Sequence, residues 1–160
     1  MSHLGVYMLK LVLISLIFLC SISIGLLIKK HLYVKHQIYL DFNDIIKSIK
    51  SEIYFLKTDK EQLLKKQSCI NKESEEILQE YIRYNKVTSK YLDDSENNKI
   101  YEMLENIGKN NVEGEIKSLE YYENILSKNC QLAGEKYNKY GIFAVKLSII
   151  AGTLISILLI

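Results

Sequence analysis

Two apolar runs, one near each end of the chain, limit what it can fold into more than any other feature. Residues 11–28, LVLISLIFLCSISIGLLI, hold no charge, and residues 142–160, IFAVKLSIIAGTLISILLI, hold only Lys146. At about 1.5 Å rise per residue an 18-residue helix extends roughly 27 Å, close to the hydrocarbon thickness of a bilayer. A surface helix of a soluble domain needs an apolar stripe, not an apolar circumference. Both runs therefore read as transmembrane helices. Lys29, Lys30 and His31 follow the first run where a signal peptide would present small residues for cleavage, so this span is expected to be retained.

The basic residues orient the spans. Lys29, Lys30 and Lys35 follow the first, Lys128, Lys136 and Lys139 precede the second, and only Lys10 lies outside them. Cytoplasmic flanks collect Lys and Arg, which puts the middle of the chain in the cytoplasm. Lys146 lies four residues into its run, near enough to the interface for its own stem to carry the ammonium out of the hydrocarbon. With Lys29, Lys30, Lys136 and Lys139 it is a candidate interface anchor. The expected organisation is a transmembrane helix over 11–28, a helical cytoplasmic domain over 32–141 and a second transmembrane helix over 142–160.

All 19 Asp and Glu fall within 32–141 together with 17 of the 21 Lys and Arg, a net charge of −2. A domain of that balance has no electrostatic attraction for a phosphate backbone, and nucleic acid is not an expected partner. The three cysteines, Cys20, Cys69 and Cys130, are odd in number and have no paired spacing, which fits reduced thiols rather than a disulfide framework.

The chain has no proline, and its middle is rich in good helix formers. Ile38, Phe42, Ile45, Ile49, Ile53 and Leu56 recur every three or four residues, which predicts one helix face running to about Lys57. Thr58 and Glu61 have the spacing of a capping box for a short second helix that turns Leu63, Leu64 and Cys69 inward. Ile77, Leu78, Tyr81 and Ile82 predict a third helix capped by Asn71 or Ser74. The polar run LDDSENN, 92–98, reads as a loop. Ile100, Met103, Leu104 and Ile107 predict a fourth helix that Gly108 ends. Val112, Ile116, Leu119, Leu126, Cys130, Ala133, Tyr137 and Tyr140 then follow a coiled-coil-like spacing into the second span, with Glu123 out of pattern. The first and last helices are expected to pack antiparallel. The fold class is all-α.

Chemistry-bearing constellations are sparse. His3, His31 and His36 have no metal-ligand spacing, and the two in the interior lie five apart, on different helix faces. Cys69 and Cys130 sit in apolar patterns without a nucleophile signature. The pairs Glu75–Glu76 and Asp93–Asp94 lie among polar residues and read as a helix start and a loop rather than an acid and base pair. Gly108 and Gly114 are isolated, so there is no phosphate loop. No catalytic residue, cofactor, metal or small-molecule substrate is expected. The 12 tyrosines, crowded at Tyr121, Tyr122, Tyr137 and Tyr140, suit a core, a headgroup boundary or a partner-binding face.

The order of a span, an amphipathic helix carrying EIYFLKT at 52–58, short helices, ENIGKNNVEGEIKSL at 105–119 and a long helix ending in a span resembles the stage III sporulation protein AB family. The resemblance is most specific at Glu52, Ile53 and Tyr54 and at the segment centred on Gly108. It implies a helical cytoplasmic domain similar to the platform protein of type II secretion systems. The implied place is the outer forespore membrane, on the mother-cell side of a secretion-like complex. The implied partners are the lipid bilayer, a cytoplasmic ATPase of the same operon and other stage III sporulation membrane proteins. Asp59 stands where the family commonly has proline, and Glu115 where it commonly has glutamine. Glu52, Tyr54 and Glu115 are the candidate partner-binding residues. The alternative is a two-span signalling or regulatory protein whose coiled-coil stem pairs between chains.

Overall fold

The computed structural model describes residues 3–53 and 60–159, which form six α-helices and one π-helical turn, with no strand among them. They are α1 (His3–Ile53), α2 (Lys60–Lys66), α3 (Lys72–Tyr84), α4 (Asp94–Asn106), α5 (Val112–Lys136), the π-turn (Tyr137–Gly141) and α6 (Ile142–Leu159). Two units separate: a central unit, Val34–Gly134, and a terminal unit that pairs the residues up to Tyr33 with those from Glu135 onward.

The central core confirms the spacing read along α1. Ile38, Phe42, Ile45 and Ile49 are buried, and Tyr39 and Ile46 widen the stripe because helices cover α1 on more than one side. Leu64, Ile77, Leu78, Ile100, Met103, Leu104, Leu119, Leu126 and Ala133 join the same cluster from α2 to α5. Each buried Leu, Ile or Met among them contributes about 1.5 to 3 kcal/mol on burial. Ile53 and Leu56, and the Thr58 to Glu61 cap, cannot be placed: 54–59 lie outside the described residues, as do the side chains of Ile53 and Glu61.

Capping explains where the short helices begin. Asn71 caps α3, its side chain accepting from the Glu73 amide at 2.8 Å, while Ser74 is buried inside the helix. Asn85 ends α3 in the left-handed conformation, φ 50°. The loop expected over 92–98 is instead the start of α4. Asp93 accepts from the Glu96 amide at 2.9 Å and Glu96 from the Asp93 amide at 2.9 Å, a complete capping box. A helical first turn facing water is as polar as a loop, so composition could not separate them. Gly108 takes φ 79° just past α4, the conformation expected of it. Cys69 lies beyond the end of α2 rather than on it, half-buried against the core.

In the terminal unit the early part of α1 packs on α6 through small residues. A Cβ on Gly25 would meet Ser148 Oγ at 2.5 Å and the Ala144 carbonyl at 3.0 Å, and one on Gly152 would meet Ser21 Cβ at 3.0 Å. Ser21 donates its hydroxyl to the Ser148 carbonyl at 2.6 Å. These contacts make the two segments antiparallel. Glycine and serine at such crossings let backbones approach where no hydrophobic force separates helix from lipid. The outward faces are apolar and uncovered: Leu16, Leu19, Leu27, Ile150, Leu154 and Ile157 are all exposed. Both helices are long and apolar enough to cross a membrane.

Candidate functional site

A hollow opens on the central unit where α1, α4 and α5 meet. Tyr39 and Lys35 stand one helical turn apart on α1, and Glu96 opens α4. Lys35 Nζ donates to Glu96 Oε2 at 2.6 Å, so the residue that caps α4 also ties it to α1. Burial opposes charge on Glu96, but the hydrogen bonds from Lys35 and the Asp93 amide hold its carboxyl below the ordinary value of 4.5. The Tyr39 hydroxyl is buried beside this carboxylate and has no hydrogen-bond partner of good geometry among the described residues. Burial first, then hydrogen bonding toward Glu96 and the Glu96 charge, raises its phenol far above the ordinary range, so it stays protonated with Glu96 as its nearest acceptor.

Tyr39 and Glu96 face a hollow of about 220 Å³ whose floor is Ile100, Met103 and Leu126 and whose rim carries Glu102 and Tyr121. Tyr121 is 61% exposed and packs edge-on against Tyr122 at 5.3 Å between ring centroids. The Tyr122 hydroxyl accepts from Asn106 Nδ2 at 2.7 Å, which fixes its ring. An apolar floor and a fixed aromatic wall suit a partner's side chain.

The thiols and the imidazole of the central unit lie outside this lining. The Cys69 thiol is pushed up to about 12 by burial and by the charges of Asp41 and Glu75, and burial also raises Cys130. Neither is a thiolate nucleophile at neutral pH. His36 is half-buried, which lowers its basicity. No group of three or more His, Cys, Asp or Glu that could hold a metal exists among the described residues.

The residues singled out in the sequence fall in different places. Glu52 lies in the last turn of α1, half-buried, with Oε2 unpartnered among the described residues; Tyr54 lies outside them. Glu115 is buried and accepts from the Gly108 amide at 2.8 Å and the Asn110 amide at 3.3 Å, binding the turn before α5. Lys29 is half-buried, while Lys30, Lys136, Lys139 and Lys146 are exposed. Lys139 Nζ stands 5.3 Å from the Tyr140 ring centroid.

The structure also reveals residues that the sequence did not single out. Asp41 receives two backbone amides from the α2–α3 turn, Glu123 pairs with Lys50 at 3.1 Å, and Tyr81 links Lys60 to Glu105. Asp41 and Tyr81 read only as a polar position and a core aromatic, and Glu123 only as a break in the α5 pattern. Lys60 Nζ donates to Tyr81 Oη at 2.8 Å, and Tyr81 donates to Glu105 Oε2 at 3.0 Å, joining α2, α3 and α4.

The sequence model of the stage III sporulation protein AB family matches residues 71–160, and so α3 through α6 with the Gly108 segment. No curated protein and no solved structure matches the chain.

Proposed function

Because the chain belongs to the stage III sporulation protein AB family, we propose that it is a noncatalytic platform in the secretion-like channel complex between mother cell and forespore. Membership makes it a sporulation membrane protein, and the two apolar helices fit a multi-pass arrangement. In the proposal the central domain faces the mother-cell cytoplasm and receives a secretion-type ATPase, while α6 and the start of α1 hold it in the outer forespore membrane. Other stage III sporulation membrane proteins complete the assembly. The observation that carries this reading is the hollow at α1, α4 and α5, where the exposed Tyr121 ring stands over an apolar floor and offers a contact surface.

The test is co-purification from sporulating cells. With Tyr121→Ala and Glu102→Lys together, membrane levels are expected to hold while recovery of the ATPase falls at least tenfold. Undiminished recovery would remove the hollow from the proposal, and no ATPase with the unaltered chain would remove the platform role.

A signalling stem that pairs between chains is the other reading. Leu119, Leu126 and Ala133 are buried in the chain's own core, which favours a self-contained domain. Cysteines placed at Leu119 and Leu126 should therefore give no symmetric dimer on oxidation.

A further inference from the structure

The terminal unit contains a second hollow, of about 300 Å³, lined by Leu26, Lys29, Lys30 and Tyr33 of α1 and by Tyr137. Tyr137 opens the π-turn, whose wider winding is a local departure often found at binding sites. Gly141 closes that turn and is buried; a Cβ there would stand 3.3 Å from the Tyr137 ring and 3.5 Å from the Lys29 stem. The missing side chain is what lets Tyr137 lie close to Lys29. Tyr137 in turn packs on Tyr33 at 5.5 Å between centroids.

Neither Lys29 nor Lys30 makes an ion pair among the described residues, and the terminal unit holds six lysines against a single acid, Glu135. The lining is mostly apolar, with Lys29 and Lys30 on its edge, and ammonium groups on flexible stems can turn to the oxygens of one phosphate. Leu26 lies three and four residues before the lysines, on the same helical face and at the end of the uncharged 11–28 run. Two lysines thus border a mostly apolar hollow, which fits an amphiphile better than a free anion.

We propose that Lys29, Lys30, Tyr33 and Tyr137 bind the phosphate of an anionic glycerophospholipid, with its hydrocarbon beginning along Leu26. Basic pockets between membrane helices hold such headgroups. The site rests on the membrane placement of the two apolar helices and not on the platform role, so either can fail alone.

The experiment uses the full-length chain in a zwitterionic detergent, titrated with phosphatidylglycerol, phosphatidylcholine or inorganic phosphate, with binding read by native mass spectrometry and thermal shift. Phosphatidylglycerol is expected to bind and raise Tm, and the other two to do neither. Lys29→Gln with Lys30→Gln should weaken binding about tenfold or more, given what each lysine contributes beside an anionic lipid. Lys136→Gln with Lys139→Gln removes the same charge elsewhere and should change it less than twofold. If the first double variant does not fold, Lys30→Gln alone, at an exposed position, should weaken binding at least threefold. Equal losses in both double variants would reduce the effect to diffuse attraction and overturn the site. An equal response to inorganic phosphate would overturn the lipid.

Discussion

Asp41 holds two consecutive amides of the turn that precedes α3: Ile70 donates to one carboxylate oxygen at 3.2 Å and Asn71 to the other at 2.9 Å. The long first helix thereby fixes where α3 begins, since Asn71 is also its cap. Asp41 is buried, so truncating it strands amides that only partly regain water. Asp41→Ala should cost about 2 kcal/mol and Asp41→Asn about 1. For a chain of this size the former is a fall in Tm of roughly 4 to 8 °C in detergent, and no change would detach the turn from α1.

Glu115 separates structure from recognition. Its two oxygens serve the Gly108 and Asn110 amides, so Glu115→Gln, which keeps one acceptor, should cost about 1 kcal/mol, and Glu115→Ala about 2. Thermal melts give these values, while co-purification of partners should survive Glu115→Gln. Loss of partners at unchanged Tm would instead make Glu115 a contact residue.

Acid should weaken the central unit in two separate steps. Burial lowers His36 from its ordinary 6.5, so the folded state favours the neutral ring. Stability from this source is complete above about pH 6.5 and falls as pH drops toward the depressed folded value. Glu96 and Glu105 are held below 4.5, the first against burial by Lys35 and the Asp93 amide, the second by Lys109 and Tyr81. Their contribution is present above 4.5 and is lost as pH falls through their folded values. A Tm profile from pH 8 to 3 should show both, with His36→Phe removing only the upper step. A profile flat down to pH 3 would contradict all three.

The membrane pair should be intolerant of bulk at Gly25. Leucine there meets the Ala144 carbonyl, which cannot rotate away as Ser148 can, and overpacking of this kind costs about 1 to 3 kcal/mol. Cysteines at positions 21 and 148 report the pairing directly, because Ser21 touches the Ser148 backbone. They should crosslink on oxidation in the parent chain and cease to do so with Gly25→Leu. Crosslinking that persists undiminished would show that the helices do not meet there.

The apolar periodicity made the elements legible and left the polar fasteners unread. Ile38, Phe42, Ile45 and Ile49 announced a buried face because burial follows helical spacing, and Gly108 announced a helix end because few residues take its conformation. Asp93 and Glu96 misled, since a capping box and a loop share a composition. Asp41 was silent, as the amides it holds are 29 and 30 residues away and leave no local trace. The candidate surfaces were legible only in part: the crowding of Tyr121 and Tyr122 was visible, but the hollow beside them depends on where Tyr39 meets α4 and α5. The π-turn is spelled YNKYG, which nothing distinguishes from ordinary helix.

The shared core of α1 and α5 also imposes an order in time. Ile38 to Ile49 are made early, yet part of their cover, Leu119 and Leu126, follows some 70 residues later. At synthesis rates of about 5 to 20 residues per second that is roughly 4 to 14 s during which a greasy helix face waits without its C-terminal partner beside a membrane. The central fold is completed only as the second span is about to be made, so translation delivers closure of the domain and insertion of the last helix almost together.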